Sequence, residues 1–416
     1  MRKVYIVGVG MTRFGKHLER SEKDLTAEAV RITLEDAGLA AKDLQAAWFG
    51  NSMWGYFHNQ HCIKGQVALR PLGIQSIPII NVENACAGAS TALHGAWLGV
   101  ASGLYDCALA VGVEKLYDED KKKTFMAYSA GVDVANIEEH FAAWRRVLEG
   151  LDLEIPDDQD KGGAGASRSA FMDVYAGWCR WHMATHGTTQ KQLAIIASKN
   201  HFHSTMNPFA QYQKAMSVEE VLAGRPVIYP LTVPMCAPVG DGSAAAIVCS
   251  EEYLKKLQDR RPVRILASVL ASGSDREIAD ENNDIGARAS RQAYEIAGVG
   301  PQDIDLAEVH DATAFGELHQ CEALGFCPPG EGGPFAESGA TRLGGKLPIN
   351  VSGGLESRGH PVGASGLGQI YELVTQLRHE AGPRQVEGCR LALAENGGGN
   401  LGFEEAAMAV HILERI

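Results

Sequence analysis

The chain has 416 residues, 45% of them hydrophobic, enough to bury a large core and to build two domains. Its formal charge of -13 argues against nucleic acid and anionic membrane surfaces as partners, while leaving room for a local basic pocket that takes an anionic small molecule. Nine cysteines are scattered with no CxxC pair, so neither a zinc ribbon nor a disulfide scaffold is predicted, and a reducing cytoplasm fits best.

From the N-terminus, Val4-Tyr5-Ile6-Val7 reads as a first strand and Gly8-Val9-Gly10 as a glycine turn. The run is too short for a signal-peptide core, and the glycines lack the rest of a dinucleotide fingerprint. Further on, a strand-like run from Ile77 to Val82 leads through Glu83-Asn84-Ala85 into Cys86, and small residues then open a helix to about Gly103. A thiol at a helix start has its thiolate favoured by the helix dipole and free backbone N–H groups. The other reading of Cys86 is a small buried apolar residue. The apolar stretch from Ala92 to Val113 contains His94 and Asp106, which predicts a buried helix and strand rather than a membrane span.

Between about Leu116 and Thr232 lies a long insertion, read as a lid over a ligand site. It opens on Asp118-Glu119-Asp120-Lys121-Lys122-Lys123, a solvated face, and carries the flexible run Gly162-Gly163-Ala164-Gly165-Ala166. His182 and His186 are four apart on a predicted helix, but Met183 stands where a zinc-protease motif needs glutamate, so no metal is expected. His201 and His203, in a polar segment, are predicted to be exposed. The first half closes with a strand from Ala244 to Cys249, and a charged helix from Glu251 to Arg260 leads into the second.

The second half repeats the first. Glu35-Asp36-Ala37-Gly38-Leu39 with Asp43-Leu44 is echoed by Glu295-Ile296-Ala297-Gly298-Val299 with Asp303-Ile304, each followed by an apolar strand. Gly88-Ala89-Ser90 is echoed by Gly363-Ala364-Ser365. Two matched units in one order predict two similar α/β halves.

Three polar segments of the second half stand at predicted strand ends or helix starts. His310-Asp311 follows the strand Asp305 to Val309 and lines a site or serves as a turn or cap. His360, in Gly359-His360-Pro361-Val362-Gly363-Ala364-Ser365-Gly366, is placed to move a proton or is a structural loop residue. Glu395-Asn396-Gly397-Gly398-Gly399 follows a strand ending at Ala394 and either brings backbone N–H groups to a ligand oxygen or forms a plain turn.

In this order, Cys86, His310-Asp311, the Gly359-His360-Pro361 motif and the final glycine triplet resemble the thiolase superfamily. The chain looks most like the branch of sterol-carrier-protein thiolases and archaeal acetoacetyl-CoA thiolases. The resemblance implies a thiolase fold, layered αβαβα, with residues 1–250 as the first half, an insertion at 116–232, and 251–416 as the second half. It implies that Cys86 carries an acyl thioester, that His360 activates Cys86, and that His310 is an oxyanion-hole side chain. The backbone at Cys86 and around Gly398 would form another oxyanion hole, and the insertion would hold coenzyme A, a substrate rather than a resident cofactor.

The departures are specific. Typical thiolases carry a second cysteine for the proton at the α-carbon, in a CxG-type or an HDC-type motif. This chain has Glu395-Asn396 at the first place and Ala312 at the second. Candidate bases are Glu395, which is equally a structural carboxylate, His310, and a tyrosine of the insertion. The pattern resembles benzoylsuccinyl-CoA thiolases and implies an atypical 3-oxoacyl-CoA. A retro-aldol lyase acting on a steroid side-chain CoA ester and a non-catalytic scaffold are the alternatives. Acyl-CoA and CoA, a homodimer partner and a separate small zinc-ribbon/OB-fold protein are the expected partners.

Overall fold

The computed structural model describes residues 1–156, 168–258 and 261–416. The run Gly162 to Ala166 lies outside the described residues, and so does the end of the charged segment after Ser250; among the described residues of that segment, Glu251–Leu254 is helical.

The strands are β1 (Val4–Met11), β2 (Ala46–Gly50), β3 (Ile79–Val82), β4 (Cys107–Glu114), β5 (Pro226–Ile228), β6 (Leu231–Thr232), β7 (Gly242–Ser250), β8 (Val263–Ser272), β9 (Leu306–Glu308), β10 (Leu391–Gly398) and β11 (Ala407–Arg415). Nine of them form one sheet in the order β3-β2-β4-β7-β1-β8-β11-β10-β9, and β5 pairs with β6 in the insertion. Outward from β1 the order β1, β7, β4, β2 is matched outward from β8 by β8, β11, β10, β9. The repeat read in the sequence is therefore a repeat of topology. The two halves meet edge to edge through only three residue pairs, Val4 with Ile265, Tyr5 with Arg264 and Ile6 with Val263.

Local chemistry explains the echoed segments. The helices used below are α1 (Glu22–Ala37), α2 (Gly88–Ala101), α3 (Ala170–His186), α4 (Gln190–Ser204), α5 (Ile285–Ala297), α6 (Ala314–Ala323) and α7 (Ser365–Leu377). Helix α1 stops at Gly38 (φ +64°) and α5 at Gly298 (φ +71°), the left-handed position that glycine fills without strain. Five residues on, Asp43 accepts a hydrogen bond from the Ala40 N–H at 2.8 Å and Asp303 one from the Gly300 N–H at 2.7 Å. Each aspartate ties a 3₁₀ turn that feeds β2 or β9. The constant glycine-to-aspartate spacing is the length of that connection.

Five layers result. Helix α1 covers one outer face against β1 and β7, and α5 covers the other against β8 and β11. Between the two sheet halves α2 and α7 pack on each other. The strand residues facing them include Ala108, Ala110, Ala244, Ala246, Ala392 and Ala394, all buried, small side chains that let helix backbones sit close. A methyl group at Gly366 would lie 2.0 Å from Ser90 Oγ, so the N-terminal ends of α2 and α7 touch. That contact brings the Cys86 turn and the His360 turn together.

Three expectations are corrected. Gly8 and Gly10 are not a turn but lie within β1, beside a bulge, and a methyl group on either would come within 2.6 Å of Thr33 atoms of α1. The glycines permit close helix approach. His201 and His203 are buried because α4 is walled in by other helices; His203 hydrogen-bonds Asn350 O at 3.1 Å and accepts from the Leu343 N–H at 3.1 Å. Strand β10 does not end at Ala394 but continues in register through Gly398, opposite Ala407. Among the described residues no helix is long and apolar enough to cross a membrane.

Candidate active site

Cys86 sits in a 3₁₀ turn, Ala85–Ala87, one turn before α2 begins at Gly88. Ala85 adopts φ +46°, rare for a residue with a Cβ, and the turn is closed by Ala87 N–H donating to Asn84 O at 2.9 Å. Gly398 presses against this turn. A methyl group there would lie 2.2 Å from Asn84 O and 3.0 Å from the Cys86 nitrogen, so only glycine fits.

His360 follows Gly359, whose φ of +110° turns the chain back towards the cysteine. Its Nε2 lies 3.2 Å from Cys86 Sγ, and its Nδ1 lies 2.7 Å from Ser365 Oγ. Ser365 donates its own proton to Pro361 O at 3.0 Å, so it can only accept from His360. The proton therefore belongs on Nδ1, and the Nε2 lone pair faces the thiol.

His310, two residues after β9, has the opposite tautomer. Ser90 Oγ donates to Asn396 Oδ1 at 2.9 Å, which turns the amide so that Nδ2 donates to His310 Nδ1 at 3.0 Å. The His310 proton is left on Nε2. The two imidazoles stand edge to face with centroids 5.3 Å apart. The donor atoms of Cys86, His310 and His360 lie within 4.8 Å of one another.

Electrostatics reverse the expectation that the helix start would ionise the thiol. Loss of water pushes the Cys86 thiol up to about 12, Glu114 and Glu83 add to the shift, and the backbone N–H only partly opposes it. Burial also holds His360 well below its usual value, helped by His310 and Arg358, and lowers His310 to about 3. The resting pair is a neutral thiol facing a neutral imidazole.

The cysteine and both histidines line a cavity of about 230 Å³ with Gly398. Residues of the insertion form much of its wall, among them Phe125, Tyr128, Phe171, Met172, Tyr175 and Arg225. Glu395 is not on this wall. It is fully buried, its Oε2 accepts from the His310 backbone N–H at 2.8 Å, and it thereby anchors the loop that carries His310. His182 and His186, on α3, are held instead by Glu322 and Glu281, each at 3.0 Å.

Two wall residues escaped the sequence reading. Cys236 forms an antiparallel bridge with Thr313, which sets a thiol beside Ala312, and Glu405 enters from the loop between β10 and β11. Neither sits in a motif, so no spacing signalled them.

Residues 4–219 match the family described as Thiolase, N-terminal domain, and residues 274–415 match Thiolase C-terminal domain-like. An acetyl-CoA acetyltransferase of Methanothermobacter thermautotrophicus is 37% identical across 100% of this chain and 100% of its own length. Sterol carrier protein 2 of Rattus norvegicus is 38% identical over 97% of this chain and 73% of its own. Benzoylsuccinyl-CoA thiolase subunit BbsB of Thauera aromatica is 36% identical over 96% and 95%. Two solved structures share the fold: the Ltp2-ChsH2(DUF35) aldolase (TM-score 0.75, 24% identity, 99% of this chain and 98% of that one) and the Acat5 thiolase of Ascaris suum in complex with coenzyme A (0.67, 16%, 100% of each). The chain belongs to the thiolase family and is an acyl-CoA C-acyltransferase of the thiolase type.

Proposed function

We propose that the chain cleaves a 3-oxoacyl-CoA with free coenzyme A, or runs the reverse condensation, through an acyl thioester on Cys86. The observation that carries this reading is the His360 lone pair facing the Cys86 thiol at 3.2 Å with Nδ1 tied to Ser365. A thiol of pKa about 12 needs such a base at neutral pH. His360 takes the thiol proton as sulfur attacks the carbonyl. The His310 Nε2–H and backbone N–H groups at Cys86 and around Gly398 supply donors for the oxyanion.

Support for the substrate comes from the cavity wall. Phe125, Phe171 and Met172 favour a bulky or aromatic acyl group, and Arg225 adds positive charge suited to an acyl-CoA that carries a further carboxylate. A benzoylsuccinyl-CoA-like substrate has both features, and the relative in Thauera aromatica is named for it. Coenzyme A would lie under the insertion. The relative described as a subunit and the aldolase described with a second component support a separate partner protein, such as the small zinc-ribbon/OB-fold protein; the homodimer rests on the family resemblance alone. Nine free cysteines suit a reducing, cytoplasmic setting.

Incubation with acetyl-CoA and with benzoyl-CoA, followed by intact and peptide mass analysis, tests the reading. An acyl adduct on the Cys86 peptide is expected, absent from Cys86→Ala. Carbon–carbon cleavage without an adduct would put a retro-aldol lyase in its place, and a Cys86→Ala protein whose complex keeps full activity would make the chain a scaffold.

The His310 tautomer gives a separate expectation. Asn396→Asp presents a carboxylate to Nδ1, draws the proton there and strips Nε2 of its hydrogen. Loss of one oxyanion donor lowers turnover by about 10²- to 10³-fold. Cys86 acylation kinetics at saturating acyl-CoA would measure it.

A further inference from the structure

Carbon–carbon chemistry at a 3-oxoacyl thioester moves a second proton, at the α-carbon, besides that of the thiol. Ala312 supplies no group for it, and Glu395 lies off the cavity wall. We propose that Glu405 is the acid–base group for the α-carbon, an inference that rests on the acyl-transfer reading above. Glu405 lines the cavity together with Cys86, His310 and His360 and is only 4% exposed. It lies across Gly397, where a methyl group would come 2.8 Å from Glu405 Cγ. Oε1 accepts from Gln320 Nε2 at 3.3 Å, while Oε2 has no hydrogen-bond partner. A buried carboxyl oxygen left without a partner is costly unless it has a use.

The other groups on the wall fit the task less well. His310 has its Nδ1 occupied by Asn396 and presents a hydrogen rather than a lone pair. Cys236 Sγ is committed to Thr232 O at 3.4 Å, and burial pushes its thiol far up. The Tyr128, Tyr175 and Tyr212 hydroxyls are likewise pushed above their usual 10 by burial. Glu405 is raised to about 7, by burial and then Asp284, against the pull of His319 and Arg276. A base of that strength suits proton transfer at neutral pH.

In the cleavage direction the protons balance. Cys86 loses its proton to His360 as the S–C bond forms; the Cα–Cβ bond then breaks, and the neutral Glu405 carboxyl protonates the departing α-carbanion. Coenzyme A gives its thiol proton to the Glu405 carboxylate as it attacks the thioester, and the expelled Cys86 thiolate recovers its proton from His360. Condensation is the same sequence reversed.

Glu405→Gln keeps the shape and removes the basic oxygen. The test follows two signals with acetyl-CoA and succinyl-CoA in deuterated buffer: acylation of Cys86 by mass, and deuterium entering the α-carbon of the free thioester. Acylation reads the acyl-transfer function, and exchange reads Glu405. Glu405→Gln is expected to slow exchange at least tenfold more than acylation, with Glu405→Asp recovering part of the exchange. Equal slowing of both signals, undiminished exchange in Glu405→Gln, or a wild-type protein that acylates Cys86 yet exchanges no α-proton would each overturn the assignment. Failure of wild-type acylation alone, with exchange still lost in Glu405→Gln, would overturn the acyl-enzyme step and leave Glu405 in place.

Discussion

His360→Ala is expected to cut the rate of Cys86 acylation by about 10³- to 10⁴-fold, the upper part of the range for a positioned general base. Magnitudes explain why the loss is large. With the thiol at about 12, pH 7 lies five units below, and a thiolate fraction of only about 10⁻⁵ forms without help. The helix-start dipole, worth about 1 kcal/mol or less at a surface, falls well short of the desolvation that opposes it. His360 is also expected to stay available in mild acid, because burial holds it well below the usual 6.5. Single-turnover acylation of the wild-type protein should therefore hold level as pH falls through 6.5. A decline centred near 6.5 would show an imidazole in contact with water and would contradict the burial of His360. In His360→Ala the rate should instead climb about tenfold per pH unit above neutrality, as free thiolate replaces the base.

Arg358→Met is expected to destabilise the fold by about 3–5 kcal/mol, the usual cost of stripping one partner from a buried ion pair. Arg358 is fully buried two residues before His360. Its guanidinium reaches Glu308 Oε2 at 3.2 Å, Ser352 Oγ at 3.3 Å and Ser365 O at 3.4 Å. It thus ties β9 to the serine that orients His360. Burial already raises Glu308 to about 7, even with Arg358 opposing it, so removing the cation drives that carboxyl further up. Below about pH 4.5 both folded and unfolded chains hold the Glu308 proton, and the ionisation penalty vanishes. Between about pH 4.5 and 7 the unfolded chain releases the proton while wild type and variant alike retain it in the fold, so the extra loss from charge opens only above about pH 7, where Glu308 beside Arg358 ionises and Glu308 without it does not. Urea denaturation at pH 6 and pH 9 would show the difference, and Glu308→Gln in the Arg358→Met background should recover most of it. Equal destabilisation at both pH values would mean that packing rather than charge sets the role of Arg358.

Much of this arrangement was legible along the chain. The echo between Gly38 with Asp43 and Gly298 with Asp303 was visible because each residue answers a backbone demand within five positions, a left-handed φ and a capped 3₁₀ turn. The small residues Gly88-Ala89-Ser90 and Gly363-Ala364-Ser365 marked two helix starts, and the turns ahead of them carry Cys86 and His360; that the two helices meet there is seen only in the fold. Family resemblance then gave these residues their order and their expected roles. Gly8 and Gly10 misled because a glycine that admits a helix against a strand has the same letter as one that makes a turn. His203 misled because the segments it hydrogen-bonds lie more than a hundred residues away, and His201 because Pro234 and Tyr212 cover it only once the chain has folded back.

Local chain chemistry decides where helices stop, where the chain turns, and which residue types stand at those points. Only the assembled fold decides the state of each site group. The proton on His360 is placed by Ser365, the proton on His310 by Ser90 acting through Asn396, and the thiol of Cys86 is kept neutral by the surroundings that exclude water. Glu405 and Cys236 reach the cavity from separate segments. Ionisation and tautomers depend on distances between groups far apart in sequence, and those distances exist only once the two halves are packed together.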